Sequence, residues 1–477
     1  MTLTAVAPKT APGLRTLLPL MLVLFIATLD ATIVATVLPA IAADLHDRTN
    51  VSWVATAYLL TSAVSTLLLG KLGDMYGRKR VLQASTVVFL AGSVVCGAAP
   101  SMGVLVAFRA VQGAGGGLSS LVQASIGDLS SPRERAKNFA VVGLVAAIAL
   151  VCGPILGGLF SDELSWRWIF WVNLPVGILA MVTMQRDLIL PSGRPGGRPD
   201  LLGAAVVTAA TTSALLVTVW GGTRFAWTSP LVVGLLIVAV FGLGVHVLVE
   251  RRAADPVTPL HLFRRPTFTS SGLLSLLSAL LLFTPMIYVP IELQAVHGYS
   301  SLRSGAMLTP LLLGMVLGGG ITSAQLSRTG RYRALSVVGG AVATIALPSA
   351  AVPVHGSALL HLVGPLLMTG MGLGVVIQSS LLAGQNAAEH EHLGAATAVL
   401  NFLKTIGGAV GAALFGAVLI AHTHDVRAPA DLARAFHALF GWTIPFGLLA
   451  VLLAAVTPEH PLSEELRREA AHKGDGL

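Results

Sequence analysis

The chain is poor in charged residues, aromatic residues and cysteine. Asp, Glu, Lys and Arg make up 11% of its 477 residues, whereas a soluble domain averages about 25%. This shortage excludes a soluble globular enzyme and a disordered protein, because too little polar surface is present to cover a globule of this size. Cys96 and Cys152 both lie in apolar runs, which indicates packing residues and excludes a secreted disulfide scaffold.

Motifs for phosphate-driven or enzymatic chemistry are also missing. No G-x-x-x-x-G-K-[ST] loop occurs, so any uphill work must draw on an ion gradient or on another protein. No nucleophile and base are arranged for catalysis, and no stretch between the apolar runs is long enough for a folded domain. We therefore expect neither an enzyme nor a cofactor.

Long apolar runs are abundant. Apolar residues form 54% of the chain, and a helix that crosses a bilayer needs about 20 of them in succession. The sequence predicts fourteen such spans, at residues 17–40, 52–70, 81–98, 103–126, 138–160, 166–184, 201–220, 230–249, 268–291, 305–326, 334–352, 359–383, 396–421 and 436–456.

These spans predict an all-α polytopic membrane protein with two six-helix bundles and two extra transmembrane helices between them. The predicted parts are an N-terminal segment at 1–16, the first bundle at 17–188, the extra helices with their loops at 189–267, the second bundle at 268–456 and a tail at 457–477. A turn at residues 70–80 has a weaker echo at 320–333, at the same place in its half, which indicates an internal duplication.

The charges in the loops predict the orientation. Of the 30 Lys and Arg residues, 22 fall on the side of the termini and six on the opposite side. Positively charged loops face the cytoplasm, so we expect both termini to be cytoplasmic and the chain to lie in the cytoplasmic (inner) cell membrane. The net charge of +8 then needs no nucleic-acid partner.

The turn after the second span has a distinctive pattern, formed by Gly70, Gly73, Asp74, Gly77, Arg78 and Lys79. Glycines let two helix ends approach, and Asp74 has helix N-terminal amides and Arg78 as natural partners. The pattern resembles the G-x-L-x-D-x-x-G-R-K-R loop of the major facilitator superfamily; an ordinary basic loop is the alternative. Asp128 could join Asp74 and Arg78 in a closing network, or could be only a helix-end residue beside Arg133.

An arginine lies within the fourth predicted span. Arg109, Gln112, Gly113, Gly116 and Gly117 share one predicted helical face. An arginine at mid-bilayer costs about 2.5–3.5 kcal/mol on insertion scales, so it must face a polar cavity or a partner. The run resembles the R-x-x-Q-G helix of the superfamily, which implies a part in proton transfer or substrate coupling. The alternative is a purely structural hydrogen-bond hub.

The fifth predicted span is rich in glycine. It contains Gly143, Gly153, Pro154, Gly157 and Gly158. Gly153 and Gly157 form a small-residue stripe that allows close helix contact, and Pro154 introduces a kink. The G-P-x-x-G-G pattern resembles that of exporting antiporters within the superfamily.

A carboxylate lies deep in the first predicted span. Asp30 follows Leu17 by about 20 Å along the helix. Without a partner it would favour its neutral form there, as a reversible proton carrier requires; the alternative is a permanently protonated or hydrogen-bonded packing residue. The surrounding L-D-x-T-I-V run resembles the first span of the fourteen-spanner drug:proton antiporter family.

Further segments similar to that family occur in both halves. They are residues 166–170 with Asn173, Pro175 and Gly177; Gln294, Gly298, Tyr299, Ser300, Gly305 and Pro310; and Asn401 with Gly407, Gly408 and Gly411. In combination they are specific to the family.

Two more charged residues have open interpretations. Glu292 is predicted near the outer mouth, either as a solvated rim residue or as a charge that attracts substrate. Lys404 lies one to two turns inside its span and could extend to the cytoplasm. Two histidine-containing loop clusters, one at 422–425 and one at 389–392, are explained by solvated loops, so no metal is predicted.

The sequence thus predicts a proton-coupled antiporter that exports small amphipathic compounds such as drugs or antibiotics by alternating access. Its expected partners are the small-molecule substrate, protons and the lipid bilayer, with no obligatory protein partner. The alternatives are a proton-coupled importer or uniporter on the same fold and, more remotely, a membrane-embedded protein that transports nothing.

Overall fold

The computed structural model describes residues 13–47, 50–190, 200–221, 225–253, 256–299, 301–351, 358–389, 392–422 and 429–459. In these ranges the regular secondary structure is helical, apart from one isolated bridge between Gly221 and Phe225. The helices are α1 Leu14–Asp44, α2 Ser52–Tyr76, α3 Arg78–Gly97, α4 Met102–Ala114, α5 Leu118–Leu129, α6 Pro132–Glu163, α7 Trp168–Trp171, α8 Asn173–Asp187, α9 Leu201–Trp220, α10 Pro230–Glu250, α11 Pro266–Ala295, α12 Ser301–Ala306, α13 Thr309–Thr329, α14 Arg333–Ala346, α15 Ala358–Ala387, α16 Leu393–Ala421, α17 Pro429–Gly441 and α18 Thr443–Val456. Short 3₁₀ segments occupy Leu260–Arg264 and Leu347–Ala350.

The all-helical prediction is confirmed, and twelve segments of the described chain are long and apolar enough to cross a membrane. The predicted spans at 103–126 and 138–160 are not among these twelve, which cover the other predicted spans. Many large apolar side chains point outward from the helices, for example Val240 and Phe241 on α10, with 61% and 70% of their surface exposed. A lipid environment accounts for such a surface.

The fourth predicted span is interrupted, so the prediction of one continuous helical face was wrong. Helix α4 ends at Ala114 and α5 begins at Leu118, which leaves Gly116 and Gly117 outside both helices. The glycines permit very close packing. A Cβ atom on Gly115 would lie 2.5 Å from the Ser85 carbonyl oxygen, and one on Gly117 would lie 2.9 Å from the Thr66 Cα.

The two halves share one hydrophobic core at one end and have separate cores at the other. The shared core contains Leu82 and Ile126 from the first half together with Phe268 and Leu400 from the second. At the opposite end one core draws only on the first half, with Ile33, Val37, Cys96 and Phe170 among its members. Another draws only on the second half, with Val289, Leu366, Phe415 and Phe436 among its members. We call the end with the shared core, where the turn at residues 70–80 lies, the closed end.

The extra helices α9 and α10 pack against each other, and α9 also contacts α2 and α16. Leu215 of α9 joins Leu60 and Ala63 of α2 in a small core, and Trp220 stands edge to face with Trp53 at 5.5 Å between ring centroids. The extra helices therefore pack where the two halves meet. Residues 191–199, at the predicted start of this region, lie outside the described residues, as do most of the predicted segments at 1–16 and 457–477.

Candidate functional site

Asp30 lies at the centre of a buried polar network in the first half. Its Oδ2 pairs with Nη1 of Arg109 at 2.7 Å. Its Oδ1 accepts hydrogen bonds from Nε2 of Gln112 at 2.9 Å and from Nδ2 of Asn173 at 3.1 Å. Asp30, Gln112 and Asn173 have no exposed surface, and Arg109 has 1%. The network thus joins α1, α4 and α8 in the buried interior of the first half.

Arg109 makes several contacts that fix the plane of its guanidinium. Nε donates to the Val54 carbonyl oxygen at 3.0 Å, and Nη1 also donates to Oε1 of Gln112 at 2.7 Å. The guanidinium carbon lies 4.2 Å from the ring centroid of Tyr58, within the range of a cation–π contact. A lysine could not make these contacts together, because its ammonium is a single point charge.

Asp30 therefore has partners, so the prediction for a carboxylate without a partner does not apply to it. The sequence separates Asp30 and Arg109 by 79 positions, and only the packing of α1 against the helices around it brings them together. The pairing also meets the requirement that Arg109 face a partner. Protonation of the Asp30 carboxylate would therefore break its buried ion pair with Arg109.

Sequence reasoning assigned no role to two members of this network. Asn173 was noted only as part of a family resemblance, and Ser93 was not singled out. Nδ2 of Asn173 donates to Oγ of Ser93 at 3.1 Å, and this hydroxyl donates to the Phe170 carbonyl oxygen at 2.8 Å. The available signal was weak: a polar residue in each of two apolar spans.

At the closed end, Asp74 links the two halves. Its carboxylate accepts hydrogen bonds from the backbone amides of Gly394 at 3.1 Å and Ala395 at 2.8 Å, in the first turn of α16. These amides have no partner within their own helix, and the helix dipole favours a negative charge there. Arg78 holds the same carboxylate at 2.9 Å and Asp128 at 2.5 Å. The suggested contact between Arg78 and Asp128 is thus present.

The prediction of a turn over residues 70–80 was wrong in extent, because α2 continues to Tyr76 and α3 begins at Arg78, which leaves Gly77 alone between them. The glycines of this segment have different surroundings. A Cβ atom on Gly70 would lie 2.4 Å from the Ala398 Cβ, so this glycine permits the approach of α2 to α16. A Cβ atom on Gly73 would lie 3.0 Å from the Leu121 side chain. Gly77 has φ +89° and ψ +129°, whereas Gly330 after α13 has φ +69° and ψ +3°, so the two positions share a positive φ but not the same backbone conformation. Lys79 lies apart from the network, because its ammonium donates to the Gln185 carbonyl oxygen at 3.2 Å.

A second hydrogen bond connects the halves nearby. Nδ2 of Asn401 on α16 donates to Oε1 of Gln123 on α5 at 2.7 Å. Gln123 was missed by sequence reasoning, because a lone glutamine beside small residues carries no motif.

The glycine-rich helix α6 contacts α1 at one point in particular. A Cβ atom on Gly153 would lie 2.1 Å from Oγ1 of Thr32, two residues from Asp30. Around Gly143 and Gly158 nothing lies within 4 Å of such an atom, so these two make no close approach. Gly157 is buried, and the side chain of Pro154 lies outside the described residues.

Glu292 belongs to the second half and lies in the last turn of α11. Its side chain has no exposed surface, which disfavours the solvated rim residue. Lys404 is half-buried on α16. Along this helix it lies between Asn401, which contacts Gln123, and Gly407, which packs against α11.

An exposed ion pair fastens the other end of the first half. Arg167 donates to Asp44 at 2.7 Å, and Trp166 donates to the same oxygen at 3.0 Å. The hydrogen bond from Arg167 holds the pKa of Asp44 below its usual value. A lowered carboxyl pKa stabilises the folded state fully at a pH above the ordinary carboxyl pKa. The stabilisation by this ion pair is therefore lost as the pH falls through the pKa of Asp44 in the folded state.

Comparison with known proteins gives matches over most of the chain. The family model described as Major Facilitator Superfamily matches residues 20–412. An uncharacterized MFS-type transporter of Mycobacterium tuberculosis is 38% identical over 398 residues, which is 83% of this chain and 58% of that protein. This match therefore spans less than two thirds of the relative's length. The multidrug transporter protein MdtP of Bacillus subtilis is 33% identical, over 86% of this chain and 76% of its own.

Solved structures share the fold. The human organic anion transporter MFSD10 superposes with a TM-score of 0.68 at 19% identity, covering 92% of this chain and 99% of its own. The proton:xylose symporter XylE superposes with a TM-score of 0.64 at 14% identity, covering 94% and 96%. At such identities the likeness concerns the fold alone.

Proposed function

The chain belongs to the major facilitator superfamily of transporters, and on that premise we propose that it exports small amphipathic compounds in exchange for protons entering the cell. The observation that carries this proposal is the buried ion pair between Asp30 and Arg109. Relatives named multidrug transporter protein MdtP and multidrug resistance protein 3, both from Bacillus subtilis, support the kind of substrate. A relative named efflux pump dotC, from Dothistroma septosporum, supports the direction.

Proton binding would act directly on this ion pair. A protonated Asp30 is neutral, so it attracts Arg109 less and accepts weaker hydrogen bonds from Gln112 and Asn173. The two protonation states therefore differ in how firmly α1 is held against α4 and α8. A substrate that prefers the state with ionised Asp30 is exchanged for a proton, because each ligand shifts the same equilibrium in opposite directions.

Alternating access would use the contacts at the closed end. With the halves joined there and separate cores at the other end, the geometry fits an outward-facing state. Opening to the inside would separate Asp74 from the amides of Gly394 and Ala395, and Asn401 from Gln123.

We further propose fourteen spans, as in the fourteen-spanner drug:proton antiporter family. Helix α6 has 32 residues, and α4 with α5 forms one span interrupted at its glycines. These two are proposed in addition to the twelve candidate spans. The bias of positive charge in the loops supports cytoplasmic termini and a place in the cytoplasmic membrane.

An apolar cavity supports amphipathic substrates. It has a volume of about 500 Å³ and lies between α2, α4 and α9, lined among others by Trp53, Leu60, Val64, Val106 and Thr208. Such a cavity beside the lipid suits a molecule that arrives from the bilayer.

The alternatives are import or uniport of a small solute on the same fold and, more remotely, a role without transport. The test is efflux of a panel of dyes and antibiotics from pump-deficient cells, with and without a protonophore. Efflux that the protonophore abolishes supports proton-driven export. Uptake of a compound along the proton gradient, with none exported, would favour the importer.

A further inference from the structure

Three metal-ligating side chains meet at the closed end of the second half. His261, Glu389 and His392 each offer one ligand atom, and these atoms all lie within 4.8 Å of one another. The two imidazole rings stand edge to face, with their centroids 4.9 Å apart. None of the three belongs to the Asp30 network or to the Asp74 turn.

The three residues come from separate parts of the chain. His261 lies in the 3₁₀ segment Leu260–Arg264 before α11. Glu389 follows the end of α15 by two positions, and His392 is the N-cap of α16. The sequence predicted no metal because the run at 389–392 alone fixes no ligand geometry. The fold adds His261, a third ligand that no local motif could reveal.

We propose that His261, Glu389 and His392 bind a divalent transition-metal ion of the zinc class. Two imidazole nitrogens and one carboxylate oxygen form a ligand set that Zn²⁺ accepts, with its fourth position left to water. Mg²⁺ and Ca²⁺ prefer ligand sets made only of oxygen, so the two histidines favour zinc.

Arg265 sets the strength of this site. Its guanidinium contacts Oε1 of Glu389 at 2.5 Å and the Ala387 carbonyl oxygen at 2.5 Å. One oxygen of the Glu389 carboxylate is thus held by a cation. The positive charge repels a second cation, so the ion is held weakly enough to exchange.

Metal binding would stabilise the closed end. His392 lies two and three positions before Gly394 and Ala395, whose amides hold Asp74. An ion that ties His392 to His261 fixes the start of α16 to the segment before α11. This consequence rests on the proposed function, whereas binding itself does not.

The test is a calorimetric Zn²⁺ titration of the purified full-length protein at neutral pH, with any histidine tag removed. We expect one saturable site in the wild type. His261→Ala and Glu389→Gln should each weaken binding by roughly tenfold or more, and Arg265→Gln should strengthen it. His46→Ala is the matched control, because His46 is an exposed histidine at the opposite end; it should bind like the wild type.

Co²⁺ provides a second readout, since a tetrahedral site gives a characteristic visible absorption that His261→Ala should abolish. Thermal unfolding without metal shows whether each variant is folded. Equal zinc affinity in the wild type and His261→Ala, with both folded, would overturn the proposal. A lack of saturable Zn²⁺ binding in the wild type would also overturn the proposal, because any zinc that is bound would then be an adventitious ion only.

Discussion

Asp30 and Arg109 are buried in the same core, and each makes the other tolerable there. An unpaired charge in such a place costs several kcal/mol, whereas a paired and hydrogen-bonded one costs far less. The bonds from Gln112 and Asn173 complete the shell of the carboxylate. By the same argument, a proton on Asp30 would leave Arg109 without its counter-charge and would therefore have a large effect.

Removing the arginine alone should therefore destabilise the protein more than removing both charges. We expect Arg109→Met to lower the free energy of unfolding by about 3–5 kcal/mol, and Asp30→Asn combined with Arg109→Met to lower it less. Thermal unfolding in detergent measures both. Arg186→Met, at an exposed position on α8, controls for the loss of any arginine. A double variant that is less stable than Arg109→Met alone would contradict the coupling.

Glu292 provides a test of substrate charge. It is fully buried in the second half, where an ionised carboxylate would favour a cation. We expect Glu292→Gln to raise the KM for cationic substrates several-fold more than for neutral ones, measured by efflux of a matched pair of dyes. Equal effects on both dyes would mean that Glu292 does not discriminate between cationic and neutral substrates.

The sequence indicated Asp30, Arg109, Gln112, Asp74 and Arg78 because a charge or amide in or beside an apolar span is conspicuous. It could not indicate that Asp30 and Arg109 pair, because that depends on how α1 packs against its neighbours. Ser93 and Gln123 were missed for a related reason: a serine or glutamine in a span is ordinary until its partner is known.

At the scale of elements, the close contact of α1 with α6 depends on Gly153. A methyl group there would lie 2.1 Å from the Thr32 hydroxyl, whereas one on Gly158 meets nothing within 4 Å. We expect Gly153→Ala to cost about 1–3 kcal/mol by overpacking and to slow efflux, and Gly158→Ala to change neither. Thermal unfolding and dye efflux measure the two effects. Similar behaviour of the two variants would show that the contact is incidental.

The closed end should depend on Gly70 in the same way. A side chain there meets Ala398 and the Gly394 carbonyl oxygen, so Gly70→Val should keep α2 and α16 apart and expose the shared core. Val399→Cys, at a core position with 3% exposure, should then react several-fold faster with a membrane-permeant thiol reagent. Gly103→Val is the control, since nothing lies within 4 Å of its Cβ. An unchanged labelling rate would contradict this role of Gly70.

The elements were largely predictable, because a long apolar run has few alternatives to a helix. The interruption between α4 and α5 was not predictable. Four glycines within a short run of small residues are compatible either with a continuous helix or with a break. Tertiary packing determines which of the two forms, because the backbone of α3 occupies the space beside Gly115 and the backbone of α2 the space beside Gly117.

At the scale of the whole molecule, α6 should cross the membrane. Lys137 and Glu163 are exposed near its two ends, so a span would place them on opposite sides. In a variant without Cys96 and Cys152, we expect Glu163→Cys to react with an impermeant thiol reagent in intact cells, and Lys137→Cys to react only after permeabilisation. Labelling of both from outside would contradict the fourteen-span arrangement.

The all-helical architecture followed from the sequence because apolar runs of this length extend over most of the chain. Which end of the molecule is closed did not follow from the sequence. It depends on a few contacts between the halves, such as those of Asp74 with the backbone amides of α16. Likewise, the apolar cavity between α2, α4 and α9 arises only when the extra helices are in place.

The most direct test of proton exchange at Asp30 uses purified protein in sealed proteoliposomes that contain a pH-sensitive dye. A compound that cells export is added, and proton movement is recorded for the wild type, Asp30→Asn and Asp44→Asn. Asp44 is a matched aspartate on the same helix, half-exposed and paired with Arg167. We predict proton movement in the wild type and Asp44→Asn, and none in Asp30→Asn. Proton movement at the wild-type rate in Asp30→Asn would contradict the account.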